Sequence, residues 1–417
     1  MTRLSFFLIL FTSSACSGSH LLFATDDAQT GPAPDGSVDA EPIGDAMPDT
    51  GIIGCVVGET CGYELGEFLK APGARPQSNA GATLALSDDG RILAVGAPND
   101  PSGASGTECD GIGPCAASVA QWAFRGSVQI WVRHDATWQR GTFVKAPESA
   151  DRDFFGVEIA LSGDGRTLAV GTLDESSPGV VHVYSGDSTG TFTFVESLRA
   201  PTGGAVDHFA SSLALSFDGS VLAVGAWGED SSTAGTSCNG EPGCVDDTLQ
   251  NSGAVHVFER DGSWAYRAYL KASNPGEDDA FGTGLAVSHD GRRLVVGAPV
   301  EQSTTRGTEC DGGACTNDDG IAVGALYVFE RDATGWTQEA YLKPDFPLQG
   351  ESLGQSLTMA RDGSFIVASS PWVGAYAGTV TVFEETEDRW QQASQLGRAG
   401  LIGFGSGTVV TDDGSTL

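Results

Sequence analysis

Carboxylates are the groups this chain carries in excess, 55 acids against 22 lysines and arginines, for a formal charge of −33. Three kinds of chemistry use such groups: hard-oxygen cation binding, acid–base work by a carboxylate pair, and attraction of a basic partner. The same charge argues against nucleic acid as a ligand and against electrostatic docking on anionic lipid. Asp151 and Asp153, Asp207, and the run Glu277-Asp278-Asp279 stand in short clusters and are the candidate ligand-binding residues. Asp174-Glu175, Glu229-Asp230, Asp246-Asp247 and Asp318-Asp319 form similar clusters. The plainer alternative is a soluble, self-repelling surface.

Eight of the nine cysteines fall into close pairs: Cys55 with Cys61, Cys109 with Cys115, Cys238 with Cys244, and Cys310 with Cys315. In the last three pairs the first cysteine lies 13 residues after Gly96, Gly225 or Gly297. A repeated local pair in a secreted chain reads as a small disulfide loop. Zinc is the rival, but a close pair with no second pair or histidine nearby lacks four ligands. Gly186-Asp187-Ser188-Thr189-Gly190 matches the G-x-S-x-G nucleophile elbow, which needs a strand-to-helix turn that this stretch does not offer. The six histidines are scattered, and His182 and His256 read as packing residues. No catalytic residue and no cofactor is assigned.

The elements that must position these groups repeat. Phe281–Pro299, FGTGLAVSHDGRRLVVGAP, reads as two short strands joined at Asp290-Gly291, because Asp-Gly between apolar runs suits a tight hairpin turn. The turn glycines Gly90, Gly165, Gly219, Gly291, Gly363 and Gly414 are each preceded, nine residues back, by Gly81, Gly156, Ala210, Gly282, Gly354 or Gly405. Six residues after the first five stand Gly96, Gly171, Gly225, Gly297 and Ser369. First hairpins are expected at Leu84–Val95, Ile159–Val170, Leu213–Val224, Leu285–Val296 and Leu357–Ala368. A glycine (Gly126, Gly179, Gly253, Gly324 or Gly378) opens a third strand, and an aromatic (Trp138, Phe192, Trp264, Trp336 or Trp390) opens a fourth. Four strands per unit and no helical stretch predict an all-β chain of β-propeller blades. In such blades the loops joining strands 2–3 and 4–1 share one face, and here those are the long loops that hold the cysteine pairs and acid clusters. Lys70, Lys145, Lys271 and Lys343 occupy one repeat position just after the fourth strand. They are expected at the outer edge, blocking edge-to-edge pairing.

Phe155-Gly156, Phe281-Gly282 and Phe404-Gly405, with Gly96-Ala97-Pro98 and Gly297-Ala298-Pro299, resemble the FG-GAP repeats of the integrin-α-type propeller. The resemblance covers about residues 63–417. It implies seven blades in the full ring, so the chain reads as truncated inside the sixth unit, after about five and a half. Tyr63–Pro72 repeats the fourth-strand pattern; such an orphan strand commonly completes the blade made by the other terminus, but with the sixth unit ending inside its hairpin it is expected to have no blade to complete in this chain. The family's calcium loop is not carried over. Ser87–Gly90, Ser162–Gly165 and Ser288–Gly291 supply two or three oxygens, and Leu93, Leu168 or Leu294 stands where the last acid belongs. Any calcium is expected to bind weakly, on the acidic rim.

Residues 1–16 carry Arg3, an apolar run Leu4–Phe11 and Ser13-Ser14-Ala15-Cys16. That pattern reads as a secretory signal resembling a bacterial lipoprotein site, with Cys16 as the lipidated residue; Ser13 departs from the usual Leu. Residues 17–50 read as a disordered acidic Pro/Gly linker and 51–417 as the propeller. The expected function is non-catalytic binding or adhesion at the cell surface, through the long-loop face, to an extracellular protein or glycan. The membrane is reached through the lipid anchor only. The alternatives are a propeller hydrolase or lyase with carboxylates over the central channel, and a structural envelope protein.

Overall fold

Asp-Gly turns set the register of every blade. At the Asp290-Gly291 turn, Ser288 Oγ donates to Asp290 Oδ1 (2.7 Å), Arg292 N donates to the same oxygen (3.0 Å), and Arg293 N donates to Ser288 Oγ (2.9 Å). Ser87–Asp89, Ser162–Asp164 and Ser216–Asp218 repeat this closure. The turn carboxylate is thus consumed by the turn, and the residues present do not fit a calcium loop. With the turns fixed, Leu84 pairs with Val95, Ile159 with Val170, Leu213 with Val224, Leu285 with Val296 and Leu357 with Ala368.

The structure is a computed structural model that describes residues 7–12, 19–24, 64–65, 69, 78–107, 123–173, 178–204, 206–236, 246–307, 320–371, 378–387 and 389–397. Those residues form five four-stranded antiparallel sheets, each in simple strand order, which are the blades of a β-propeller. Blade 1 comprises Leu84–Leu86, Ile92–Ala97, Ser127–His134 and Thr137–Val144; blade 2 comprises Ile159–Leu161, Thr167–Thr172, Val180–Gly186 and Phe192–Leu198. Blade 3 comprises Phe209–Leu215, Val221–Ala226, Ala254–Asp261 and Ser263–Leu270. Blade 4 comprises Gly284–Val287, Arg293–Ala298, Ala325–Asp332 and Gly335–Leu342; blade 5 comprises Leu357–Met359, Phe365–Ser370, Thr379–Thr386 and Arg389–Gly397. Every blade has a register shift between its third and fourth strands, for example at Val257/Phe258 and Val328/Phe329. Phe7–Thr12 pairs with Ser19–Ala24 and also with Glu64–Leu65, so the described part of the orphan strand lies beside this N-terminal hairpin. Leu69 packs on Leu93, Val95 and Trp131 of blade 1.

Apolar cores lie between blades. Phe155 and Phe192 of blade 2 pack on Val128 and Ile130 of blade 1, Phe209 and Trp264 of blade 3 on Val181 and Leu198 of blade 2, and Phe281 and Trp336 of blade 4 on Val255 and Leu270 of blade 3. Second strands are buried along their whole length in blades 1, 2 and 3, which explains their unbroken LAVGA-type runs. The glycines belong to these joints. Gly126 bridges Phe155, Gly253 bridges Phe281, and Gly324 bridges Leu353 of the next blade. A Cβ on Gly253 would stand 2.1 Å from the Phe281 carbonyl oxygen, and one on Gly297 would stand 2.2 Å from that of Gly354. Gly81, Gly156, Gly282 and Gly354 have φ between 86° and 97°, and Ala210 adopts 74° at the same position.

Gly253→Ala should therefore destabilise the protein by roughly 3 kcal/mol, from backbone overlap added to left-handed strain. Gly262→Ala, at a similar φ of 81° but with open space around it, should cost only about 1 kcal/mol. Urea unfolding of the two variants measures the difference; equal losses would mean that the joint tolerates a side chain.

Candidate functional site

The lysines after the fourth strands are not at the outer edge. Lys145, Lys271 and Lys343 are completely buried. Lys271 Nζ donates to Glu229 Oε2 (2.7 Å) and to Ser252 Oγ (2.7 Å). Lys343 Nζ donates to Glu301 Oε2, and Lys145 Nζ donates to the carbonyls of Ser102 (3.0 Å) and Gly126 with Asp100 at 3.8 Å. The physical reason is the loop above them. Each partner acid stands four residues after Gly96, Gly225 or Gly297, at the start of the 2–3 loop. Each lysine backbone N–H also caps that loop, at Gly106, Gly235 or Gly307. Each of these glycines lies three residues before the first cysteine of a pair, at Cys109, Cys238 or Cys310. Blades 2 and 5, with 2–3 loops of only a few residues, have Arg199 and Gly397 at the lysine position. Lysine accompanying a cysteine pair was thus the readable signal, and it marks loop bracing. Burial lowers Lys145 to about 8 despite the opposing charge of Asp100.

The four expected disulfides fall outside the described residues: Cys55 with Cys61, Cys109 with Cys115, Cys238 with Cys244, and Cys310 with Cys315. No bond between any of these sulfurs is therefore assigned. Cys16, the Lys70 position, Asp174-Glu175, Asp318-Asp319 and the sixth unit also lie outside the described residues. The six candidate acids are described, and they do not converge on one site. Asp151 pairs with Arg125 (2.8 Å). Asp153, Asp207 and Asp279 share one job: each accepts from the backbone N–H three residues earlier, at Ala150, Gly204 (2.7 Å) and Gly276 (2.7 Å). Asp278 accepts from Asn251 Nδ2 (2.7 Å). Among the described residues, no group of three or more His, Cys, Asp or Glu is arranged to hold a metal ion.

Glu277 differs from the other five. It lines an open cleft of about 550 Å³ among the loops of blade 3, on the long-loop face, with Asp230 and Asp247. Thr248, Gln250 and Asn251 add hydroxyl and amide groups, and His208 and Val206 form the remaining wall. His208 stacks on Trp227, ring centroids 4.3 Å apart. Both depart from the repeat: Trp227 replaces the proline of Gly-Ala-Pro, and His208 stands where blade 4 has Ala280. Asp207 lies beside the cleft. Burial raises its carboxyl to about 6, helped by the charges of Glu229, Asp230 and Asp247. This end of the molecule is therefore a region of negative potential.

Exposed apolar side chains stand on the loops that hydrogen bonds connect to the cleft. Ile321, Phe346 and Leu348 are 67%, 72% and 52% exposed, unusual for such side chains. Hydrogen bonds join the two regions: Gln302 Nε2 donates to the Glu277 carbonyl (3.4 Å), and Gly320 N, next to Ile321, donates to the Gln302 carbonyl (2.8 Å). Gly350 N in turn donates to the Ile321 carbonyl (2.7 Å). Among the described residues the opposite face carries tight turns, linked from blade to blade by bonds such as Phe217 N to His289 O (3.1 Å) and His289 N to Arg361 O (3.0 Å).

No protein-family model matches the chain, and no curated protein sequence matches it. Among solved structures the likenesses are distant. The periplasmic gluconolactonase of Pseudomonas aeruginosa aligns over 94% of this chain and 96% of its own, at 16% identity and a TM-score of 0.39. Hydrazine synthase of Kuenenia stuttgartiensis aligns over 79% and 77%, at 13% identity and a TM-score of 0.42. TolB of Acinetobacter baumannii aligns over 66% and 50%, at 13% identity and a TM-score of 0.34. The fold assignment rests on the five sheets themselves.

Removing one partner of a buried ion pair leaves an uncompensated charge, so Lys271→Met should cost roughly 3–5 kcal/mol, most of it recovered when Glu229→Gln is added. The histidines give a pH dependence. Burial lowers His256 to about 3, with the nearby Lys271 charge adding to it, and burial lowers His182 to about 4, with Arg199 adding. Both stay neutral in the fold while the unfolded chain takes up protons below the ordinary value of 6.5. The stability they confer is complete above pH 6.5 and is lost as pH falls toward 3–4. Unfolding measured from pH 7 to 4 should show a shallower decline in His256→Gln than in the native sequence; an unchanged slope would contradict neutral burial.

Proposed function

We propose that this chain is a secreted, lipid-anchored propeller of the FG-GAP type that binds an extracellular partner with its long-loop face and performs no chemistry. One observation carries the reading: the acidic cleft among the loops of blade 3 is linked, through Gln302 and Gly320, to the exposed Ile321, and Phe346 and Leu348 are exposed in the loop whose Gly350 bonds to Ile321. Sites that combine a polar cleft with exposed apolar anchors suit macromolecular contacts. The exposed apolar side chains favour a protein partner over a glycan, and the acids favour a basic one. A rigid scaffold with braced loops is also where binding residues are usually carried. Paired carboxylate chemistry over the channel finds less support. Among the described first-strand residues 82–86, 157–161, 211–215, 283–287 and 355–359, the one acid is Glu158, which burial raises to about 7.

The test uses full-chain protein and three probes: peptides combining Lys/Arg with Leu/Phe, peptides combining Lys/Arg with Ser/Gly, and neutral oligosaccharides. Basic–apolar peptides should bind tightest. Asp247→Asn with Glu277→Gln, or Phe346→Ser with Leu348→Ser, should each weaken binding about tenfold, near 1.4 kcal/mol. Asp135→Asn with Glu387→Gln, on the turn face, should leave it within about twofold. Equal loss in the turn-face pair would reduce the effect to bulk charge, and no binding by any probe would favour the structural envelope role.

The anchor rests on Cys16, the one cysteine without a close partner in sequence. Cys16→Ser should move the protein from the membrane fraction to the soluble one; a soluble wild-type protein would remove the anchor from this account.

A further inference from the structure

One buried lysine has more around it than an ion pair needs. In blade 4, Glu301 Oε2 accepts from Lys343 Nζ while Glu301 Oε1 accepts from Tyr341 OH (2.8 Å), Ser303 N (3.1 Å) and Asn274 Nδ2 (3.4 Å). Tyr327 OH donates to Asn274 Oδ1 (3.0 Å). Lys343, Glu301 and Tyr327 are at most 1% exposed and Tyr341 is 3% exposed, so bulk water is kept from the amine and the carboxylate.

The parts match those of an acyl transfer: a nucleophile bonded to a proton acceptor, and a hydroxyl donating to the oxygen of the carbonyl to be attacked. We propose that Lys343 Nζ and Asn274 Cγ form an intramolecular amide crosslink, with Glu301 moving the proton and Tyr327 holding the oxyanion. Glu301 takes a proton from the ammonium, and the freed lone pair attacks Cγ. The carbonyl π electrons move to Oδ1, which the Tyr327 hydroxyl stabilises. Glu301 touches both Nζ and Nδ2, so it takes a second proton from the new bond's nitrogen and delivers protons to Nδ2. The Cγ–Nδ2 bond breaks, and ammonia leaves with the ammonium's extra proton. No oxidant or cofactor is required.

Two further observations favour the reaction. Burial lowers the proton affinity of Lys343, against the pull of Glu301, and so favours the free amine. It also keeps the Tyr327 hydroxyl protonated, as an oxyanion donor must be. Asn274 precedes Pro275, whose nitrogen carries no hydrogen and cannot attack the side-chain amide to form a succinimide. The internal repeat provides a control. Lys271 has the same buried glutamate, but its counterpart of Asn274 is Thr202, three residues after Arg199. Thr202 has no acyl carbon, so blade 3 keeps a simple ion pair. The crosslink would join the segments that enter and leave blade 4, closing that blade covalently.

Mass spectrometry of the folded full chain tests this. Digestion with an acid-specific protease should release the Asn274 and Lys343 segments as one branched peptide, about 17 Da lighter than their sum through loss of ammonia. The linkage should survive reductant. Glu301→Gln keeps the side chain's shape but cannot accept the proton, and should give two separate peptides. Tyr327→Phe should slow the appearance of the branched peptide after refolding, on the order of a hundredfold. Lys343→Arg, which keeps the charge opposite Glu301, should give no branched peptide. The native protein decides even if a variant fails to fold: separate peptides with a free Lys343 amine and an intact Asn274 amide would overturn the proposal. A branched peptide persisting at full yield in Glu301→Gln would overturn the role of the glutamate.

Discussion

The structure depends on a backbone contact that leaves no room for a side chain. The Phe-Gly segment of one blade sits on two glycines of the blade before it, one at the end of the second strand and one opening the third. Close backbone approach brings the apolar faces of neighbouring sheets together, and every inter-blade core, from Phe155 on Val128 to Leu353 on Leu326, forms behind such a joint. The composition follows from this constraint. A chain with 58 glycines spends many of them where a Cβ would strike a carbonyl, and the rest of the blade is free to vary.

The joints fix the inner strands and the tight-turn face, but they do not hold the long loops. That is the task of the buried lysines. Each reaches from the end of a fourth strand to an acid at the base of a 2–3 loop, and its own N–H caps a glycine further along that loop. Burying such a charge is costly unless it is paired, and the cost is met only in blades 1, 3 and 4, where the loop is long. A loop held this way can present Asp230, Asp247 and Asn251 to a cleft with little entropy left to lose on binding. The acidic cleft and the exposed apolar side chains linked to it are therefore features of a braced surface.

Much of the fold was legible because it is written several times. Glycine offsets located the hairpins, whose end residues pair, as at Leu285 and Val296, and in blades 2 to 5 the aromatic opening the fourth strand marked the side chain that packs on the preceding blade. The lysines misled because a charged residue at a strand end ordinarily faces water; their burial depends on an acid some 42 residues away, a spacing with no local signature. The acid clusters were only partly readable for a similar reason. Asp153, Asp207 and Asp279 close their own loops, and nothing in composition separates them from Glu277, which lines the cleft. His208 and Trp227 could have been found as breaks in the repeat. The bulge between third and fourth strands falls at a valine followed by Tyr or Phe in blades 2 to 5, a pair that also reads as ordinary strand sequence.

The described bases of the long 2–3 loops should be held as firmly as the sheets beneath them. Native-state amide hydrogen exchange on the full chain measures this directly. Lys271 and Lys343 amides, bonded to Gly235 and Gly307, and Gly253 and Gly324 amides, bonded to Glu229 and Glu301, should exchange as slowly as second-strand amides such as Val224 and Val296. Exchange of these four at the rate of exposed turn amides such as Gly262, while the second strands stay protected, would contradict the account.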